Sequence, residues 1–190
     1  MRNGTFITVE PFTSKHAAAA NSLRLPLDAP GINGNPYFAL SSLVKHWPST
    51  EQVTRRAVLM LTDGVDRYFG TPTIDDPYVD TAIRDAAKQE IAVYSIYLRG
   101  AGRYGRGLYT TDFAQSRLLQ VAEQTGGYAY FEGLTNPVTV APFLSDLQLR
   151  LASQYRITVT GLQGTGLQSI NVRSVVPDIK VTAPERVYLP

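Results

Sequence analysis

The chain has 190 residues, of which 44% are apolar and 18% charged, and its formal net charge is +2. This is ordinary globular usage, and so small a positive balance is no electrostatic footprint for nucleic acid. The absence of cysteine excludes disulfides, thiolate-ligated zinc and thiol nucleophiles.

In chain order, Asn3-Gly4 is a strong hairpin signal, and Thr5–Val9 (TFITV) reads as a strand whose hairpin partner would have to precede Met1. Asn-Gly also suits a frayed terminus. His16 precedes an alanine run and His46 stands beside Trp47 at a helix end. Neither has a serine or acidic partner at recognisable spacing, so surface or capping roles are expected. The segment Arg55–Gly64 (RRAVLMLTDG) is the most informative one. Its five-residue apolar run, bounded by polar residues, predicts a strand buried on both faces of a parallel sheet. The run ends in Thr62-Asp63-Gly64, which puts Asp63 at a carboxyl strand end, where open α/β sheets place ligands. The same tripeptide is also the composition of a plain strand-ending turn.

The loop Val65–Asp76 follows, with Asp66, Asp75 and Asp76 near Asp63. Clustered carboxylates suit Ca2+, but Asp76-Pro77 is better used as N-cap and first residue of a helix to about Glu90. Ile91–Leu98 (IAVYSIYL) predicts a second strand. The loop Arg99–Thr111 mixes Arg99, Arg103 and Arg106 with Tyr104, Tyr109 and glycines, a composition that suits recognition of anionic or aromatic surfaces or simply a solvated loop. It lacks the lysine and helix start of a phosphate-binding loop. Asp112 is expected to cap a helix from Phe113 that Gly126-Gly127 stops. Tyr128–Phe131 and Arg156–Thr160 predict two more strands. Between them Val140, Phe143, Leu144, Leu147 and Leu151 form an apolar stripe at helical spacing. Alternation of strand and helix predicts a mostly parallel sheet with helices on both faces. Nucleophile-elbow, zinc-protease and dinucleotide motifs are all missing, so no enzyme is expected.

The ordered set RRAVLMLTDGVD, IAVYSIYL, LLQVAEQTGGYAYFEG and FLSDLQLRLASQYRITV resembles the second half of a von Willebrand factor type A domain. More narrowly, it resembles the domains of that type in secreted acidobacterial proteins. The resemblance implies a Rossmann-like α/β fold and metal-dependent adhesion, in which three loops at one sheet end hold a divalent cation that also accepts a partner carboxylate. Asp63 matches the third loop. Gly34-Asn35-Pro36-Tyr37 occupies the place of the second, with Asn35 where the family has threonine. The first loop, Asp-x-Ser-x-Ser, does not occur in this sequence. The resemblance therefore implies an N-terminally truncated domain that lacks its first strand, and a degenerate metal site of Asp63 and Asn35. No cofactor is expected in this chain, with Mg2+ or Ca2+ bound if an upstream segment completes the site.

After Tyr155 the helical period ends. Gln168–Arg173, Asp178–Thr182 and Arg186–Leu189 read as short strands separated by proline turns. The expected organisation is a partial α/β domain over residues 1–160 and a β extension over 161–190. The expected function is that of a protein-interaction module, extracytoplasmic although no signal peptide is visible, with Asp66, Arg99, Arg103, Tyr104 and Arg106 facing the partner. The alternative is a metal-independent scaffold of the same fold. A nucleic-acid partner and a membrane span are not expected, and self-association through the sheet edge left by the missing strand is.

Overall fold

The computed structural model describes residues 6–23, 34–49, 55–66, 76–99 and 107–190. Strands β1 (Arg56–Thr62), β2 (Ile91–Tyr97) and β3 (Ala129–Tyr130) form a parallel sheet in the order β1-β2-β3. β1 and β2 pair from Arg56↔Ile91 to Thr62↔Tyr97, whereas β2 and β3 meet only at Ser95↔Ala129 and Ile96↔Tyr130. Helices α1 (His16–Ser22) and α2 (Pro36–Lys45) precede the sheet. The crossovers are helical, α3 (Pro77–Lys88) and α4 (Leu108–Thr125), and α5 (Ala141–Ala152) follows β3. The chain is thus a mixed α/β fold with a parallel sheet flanked by helices. Among the described residues, no helix is long and apolar enough to cross a membrane.

The main core lies on one face of the sheet. Val93 and Tyr97 of β2 pack there with Tyr37 and Leu40 of α2, Ile83 of α3 and Leu118 of α4. The opposite face holds a smaller cluster of Tyr94, Ile96, Tyr130 and Leu147 of α5. β2, central in this sheet, is buried along nearly its whole length. β1 is not. Its residues alternate between half-buried and exposed, which corrects the expectation of burial on both faces. Among the described residues β1 is an edge strand, and Ala57, Leu59 and Leu61 face the side on which only α5 contributes cover.

Local chemistry sets the crossovers. Asp76 caps α3 as expected, its Oδ1 accepting from Tyr78 N at 2.9 Å, with Pro77 in the first turn. α4 begins a turn before the expected cap at Asp112. Gly107 takes the N-cap position, and Thr111 is buried in the helix, where its Oγ1 accepts from Tyr97 Oη at 3.4 Å. Anchoring Thr111 against β2 draws the first turn in and leaves Asp112 exposed. The helix stops at Gly126 (φ 80°) as expected. At Gly127 an added Cβ would lie 1.9 Å from Val93 O, so only glycine lets the chain pass this close to β2.

Several strand expectations are corrected. Residues 6–9 of the predicted Thr5–Val9 strand are not extended into any ladder; Phe6 instead stands 6.3 Å from the His46 ring. Thr5 lies outside the described residues. Arg156–Thr160 does not close the sheet. Arg55 Nη1 donates to Leu151 O (3.2 Å) and Gln154 O (3.4 Å), and Arg156 pairs with Glu90 at 2.9 Å. These bonds hold the segment at the amino end of the sheet, and β3 is in any case too short to template a further strand. Within the α5 stripe, Leu147 is buried and Val140, Phe143 and Leu151 are partly so, but Leu144 is exposed.

The C-terminal residues make their own antiparallel hairpin, β4 (Gly166–Ser169) with β5 (Arg186–Leu189). Asp178–Thr182 forms no strand, and Gln168–Arg173 pairs only at its start. The hairpin docks on α3 and α4. Leu167 packs against the main core, Glu185 N donates to Glu123 O (3.1 Å), and Lys88 Nζ lies 5.4 Å over the Tyr188 ring.

Candidate functional site

The carboxyl end of β1 turns through Thr62-Asp63-Gly64. Thr62 Oγ1 accepts from Gly64 N (3.1 Å) and Asp63 Oδ1 from Val65 N (3.3 Å), each closing a local turn. Gly64 has φ 64°, and a Cβ there would meet Leu118 Cδ1 at 3.0 Å and Ala114 O at 3.1 Å. Conformation and the approach of α4 therefore both demand glycine.

Tyr37 of α2 reaches across to this turn, and its hydroxyl donates to Gly64 O at 3.0 Å. The side chain is completely buried. That burial pushes its pKa well above the usual tyrosine range; Arg117 opposes the rise, while Asp76, Asp63 and Asp66 add to it. One arginine and three aspartates therefore act on a single buried hydroxyl at the sheet end. Arg117 Nη1 donates to Asp76 Oδ2 at 2.7 Å, with side chains only 8% and 2% exposed. Asp76 thus joins the α3 cap to α4 through a buried ion pair. Asp66, also buried, lines a narrow cleft of about 10 Å³ with Gly64, Phe113 and Arg117, room for about one water.

Asn35 is the N-cap of α2. Its Oδ1 accepts from Tyr37 N and Phe38 N, both at 2.8 Å, and Pro36 occupies the first turn. The residue is 3% exposed, and its Nδ2 is buried with no partner among the described residues. Tyr37 links the two residues proposed as metal ligands, bonding Asn35 through its backbone and the Asp63 turn through its hydroxyl. As placed, they fit a divalent cation poorly. The amide oxygen already accepts two N–H groups at the positive end of a helix, and Arg117 brings a fixed positive charge among the aspartates.

Register brings Arg99 to the same end, since Thr62↔Tyr97 is the last β1–β2 pair. Its backbone N–H donates to Asn136 Oδ1, and its carbonyl accepts from Asn136 Nδ2 at 3.5 Å. Arg103, Tyr104 and Arg106, with Asp75, lie outside the described residues. His46 occupies the C-cap of α2 with Nδ1 2.9 Å from Ser42 O, and His16 begins the exposed α1.

Sequence reasoning missed Tyr37 and Arg117. Arg117 carried a signal: it sits between Ala114 and Val121 on the apolar stripe of α4, where a charged residue needs a buried partner. Comparison of the chain with protein-family models, with curated proteins and with solved structures finds no match in any of the three.

Proposed function

We propose that this chain is a non-enzymatic protein-interaction module of the von Willebrand factor type A kind, working outside the cytoplasm, with Asp63 and Asn35 as remnants of a cation site. The observation that carries the reading is convergence. Asp63, Asp66, Arg99 and the Asn35-capped start of α2 all belong to the carboxyl end of one parallel sheet, the end at which open α/β sheets take ligands. The strand order and the helical crossovers support the same reading. Of the partner-facing residues expected from the sequence and lying within the described residues, Arg99 is partly exposed, whereas Asp66 is buried and does not present its carboxylate to a partner surface.

A metal-independent scaffold is the second reading, and Arg117 favours it. Its guanidinium, paired with Asp76, supplies countercharge inside the cluster without any ion.

Calorimetric titration of the full chain with Mg2+ and Ca2+, beside Asp63→Ala, separates the two. Two protein oxygens are far fewer than a hard cation takes, so binding in the millimolar range that disappears in the variant supports the remnant site. No heat at any concentration supports the metal-independent module. Sub-micromolar binding lost in Asp63→Ala contradicts both. So does turnover of an ester or phosphate substrate lost in that variant, since the site would then be catalytic.

A further inference from the structure

Pairing of β4 with β5 ends at Ser169↔Arg186, and one further bond, from Ile170 N to Glu185 O at 2.9 Å, closes the fork. Beyond it the two arms diverge over the end of α4 and leave a cleft of about 440 Å³, at the lower end of the range for small-ligand sites. Its frame is fixed. Glu185 N donates to Glu123 O at 3.1 Å, and Pro184 lies so close to Gly126 that an added Cβ there would stand 2.9 Å from Pro184 Cδ. α4 ends beside the first half of β2, where Thr125 Oγ1 accepts from Val93 N at 3.1 Å. The cleft is therefore remote from the strand-end loops and independent of the function proposed for them.

Two groups on its wall lack partners, and they ask for opposite chemistry. Gln124 Oε1 is buried with no hydrogen-bond partner among the described residues, and a buried acceptor is costly to leave unmade. Arg186 stands directly opposite Ser169, two residues on from the Leu167–Tyr188 pair, so all four side chains share one face of the hairpin. Leu167 packs on the main core and Tyr188 lies beneath Lys88 of α3, so that face is the one turned toward the helices. The Arg186 side chain is thus half-buried at the cleft, and among the described residues no ion pair or hydrogen bond holds its guanidinium. A charge drawn partly out of water calls for a counter-ion.

We propose that this cleft binds an N-acylated α-amino acid with a free carboxylate and a small apolar side chain, the chemistry of a peptide carboxyl terminus and of a free acylamino acid. Arg186 takes the carboxylate in a charge-assisted pair. The N–H on the carbon that carries the carboxylate donates to Gln124 Oε1, whose amide turns about its terminal bond to meet it. The apolar side chain lies between Val172 and Val181 on the two arms, 40% and 42% exposed. An inorganic anion would satisfy Arg186 and leave Gln124 unmatched, whereas a carboxylate and an N–H on one carbon answer both.

The test is the fluorescence anisotropy of a fluorescein-labelled peptide, GSGAV with a free carboxylate, titrated with the full chain. Binding should be saturable. Amidating the peptide's terminus, or Arg186→Gln in the protein, should weaken it about ten- to a hundredfold, the worth of a hydrogen bond between charged groups. Gln124→Met keeps the volume and should weaken it about two- to tenfold. The amidated peptide leaves the protein intact, so its effect does not depend on how any variant folds. Unlabelled GSGAV and N-acetylvaline should both displace the probe. Equal strength assigns the site to a free acylamino acid, and stronger displacement by GSGAV assigns it to a chain terminus. No binding, equal binding of the amidated peptide, indifference to Arg186→Gln, or displacement by inorganic phosphate as strong as that by N-acetylvaline overturns the proposal.

Discussion

Val58 and Met60 of β1 pack into the core beneath α2, α3 and α4, whereas Leu59 and Leu61 of the same strand are substantially exposed on the opposite face. Ala57–Leu61 is apolar throughout, so composition does not separate the two sides. The layers laid over them do. On the first side three helices converge, and the strand-end turn is locked by Tyr37–Gly64 and Arg117–Asp76. On the second, among the described residues, α5 covers β2 and β3 through Leu147 and Phe143 and leaves the row on β1 exposed. The first side completes its own core.

Two substitutions probe that contrast, beginning with the larger effect. Arg117→Ala leaves the Asp76 carboxylate buried beside Tyr37 without its ion-pair partner, and loss of one member of such a pair costs about 3–5 kcal/mol. Urea denaturation should show this as a large fall in midpoint. A change below about 1 kcal/mol would mean that water reaches the pair and that the closed side is looser than described. Leu147→Ala removes the one buried side chain of α5. Because α5 lies at the margin of the fold, the loss should fall near the lower end of the usual range, about 2–3 kcal/mol. A loss as large as that of Arg117→Ala would place the second face on equal terms with the first.

The sequence made β2, the Asp76-Pro77 start of α3 and the Gly126-Gly127 stop legible because each follows from local rules, a continuous apolar run or a cap. The α5 stripe was legible for the same reason, apart from Leu144, whose burial depends on how far the helix overhangs the sheet. Arg156–Thr160 has the composition of a strand, yet Arg55 and Glu90 hold it at the amino end of the sheet, a tertiary constraint that periodicity does not carry. At the candidate site, Asp63 was legible from the apolar run that ends beside it. Tyr37 was not, because its role depends on packing between segments twenty-seven residues apart. The sequence offers Asn35 only as a threonine substitute through the resemblance, and its cap on α2 emerges from the bonds to Tyr37 and Phe38.

The most direct measurement of the central claim, that among the described residues β1 is the edge strand of the sheet and is bonded only toward β2, is amide hydrogen exchange along this strand. Val58 and Met60, bonded toward β2, should be protected. Leu59 and Leu61, whose N–H groups point away from β2, should exchange quickly. Equal protection of all four amides would contradict the account, because the outer edge of β1 would then be covered.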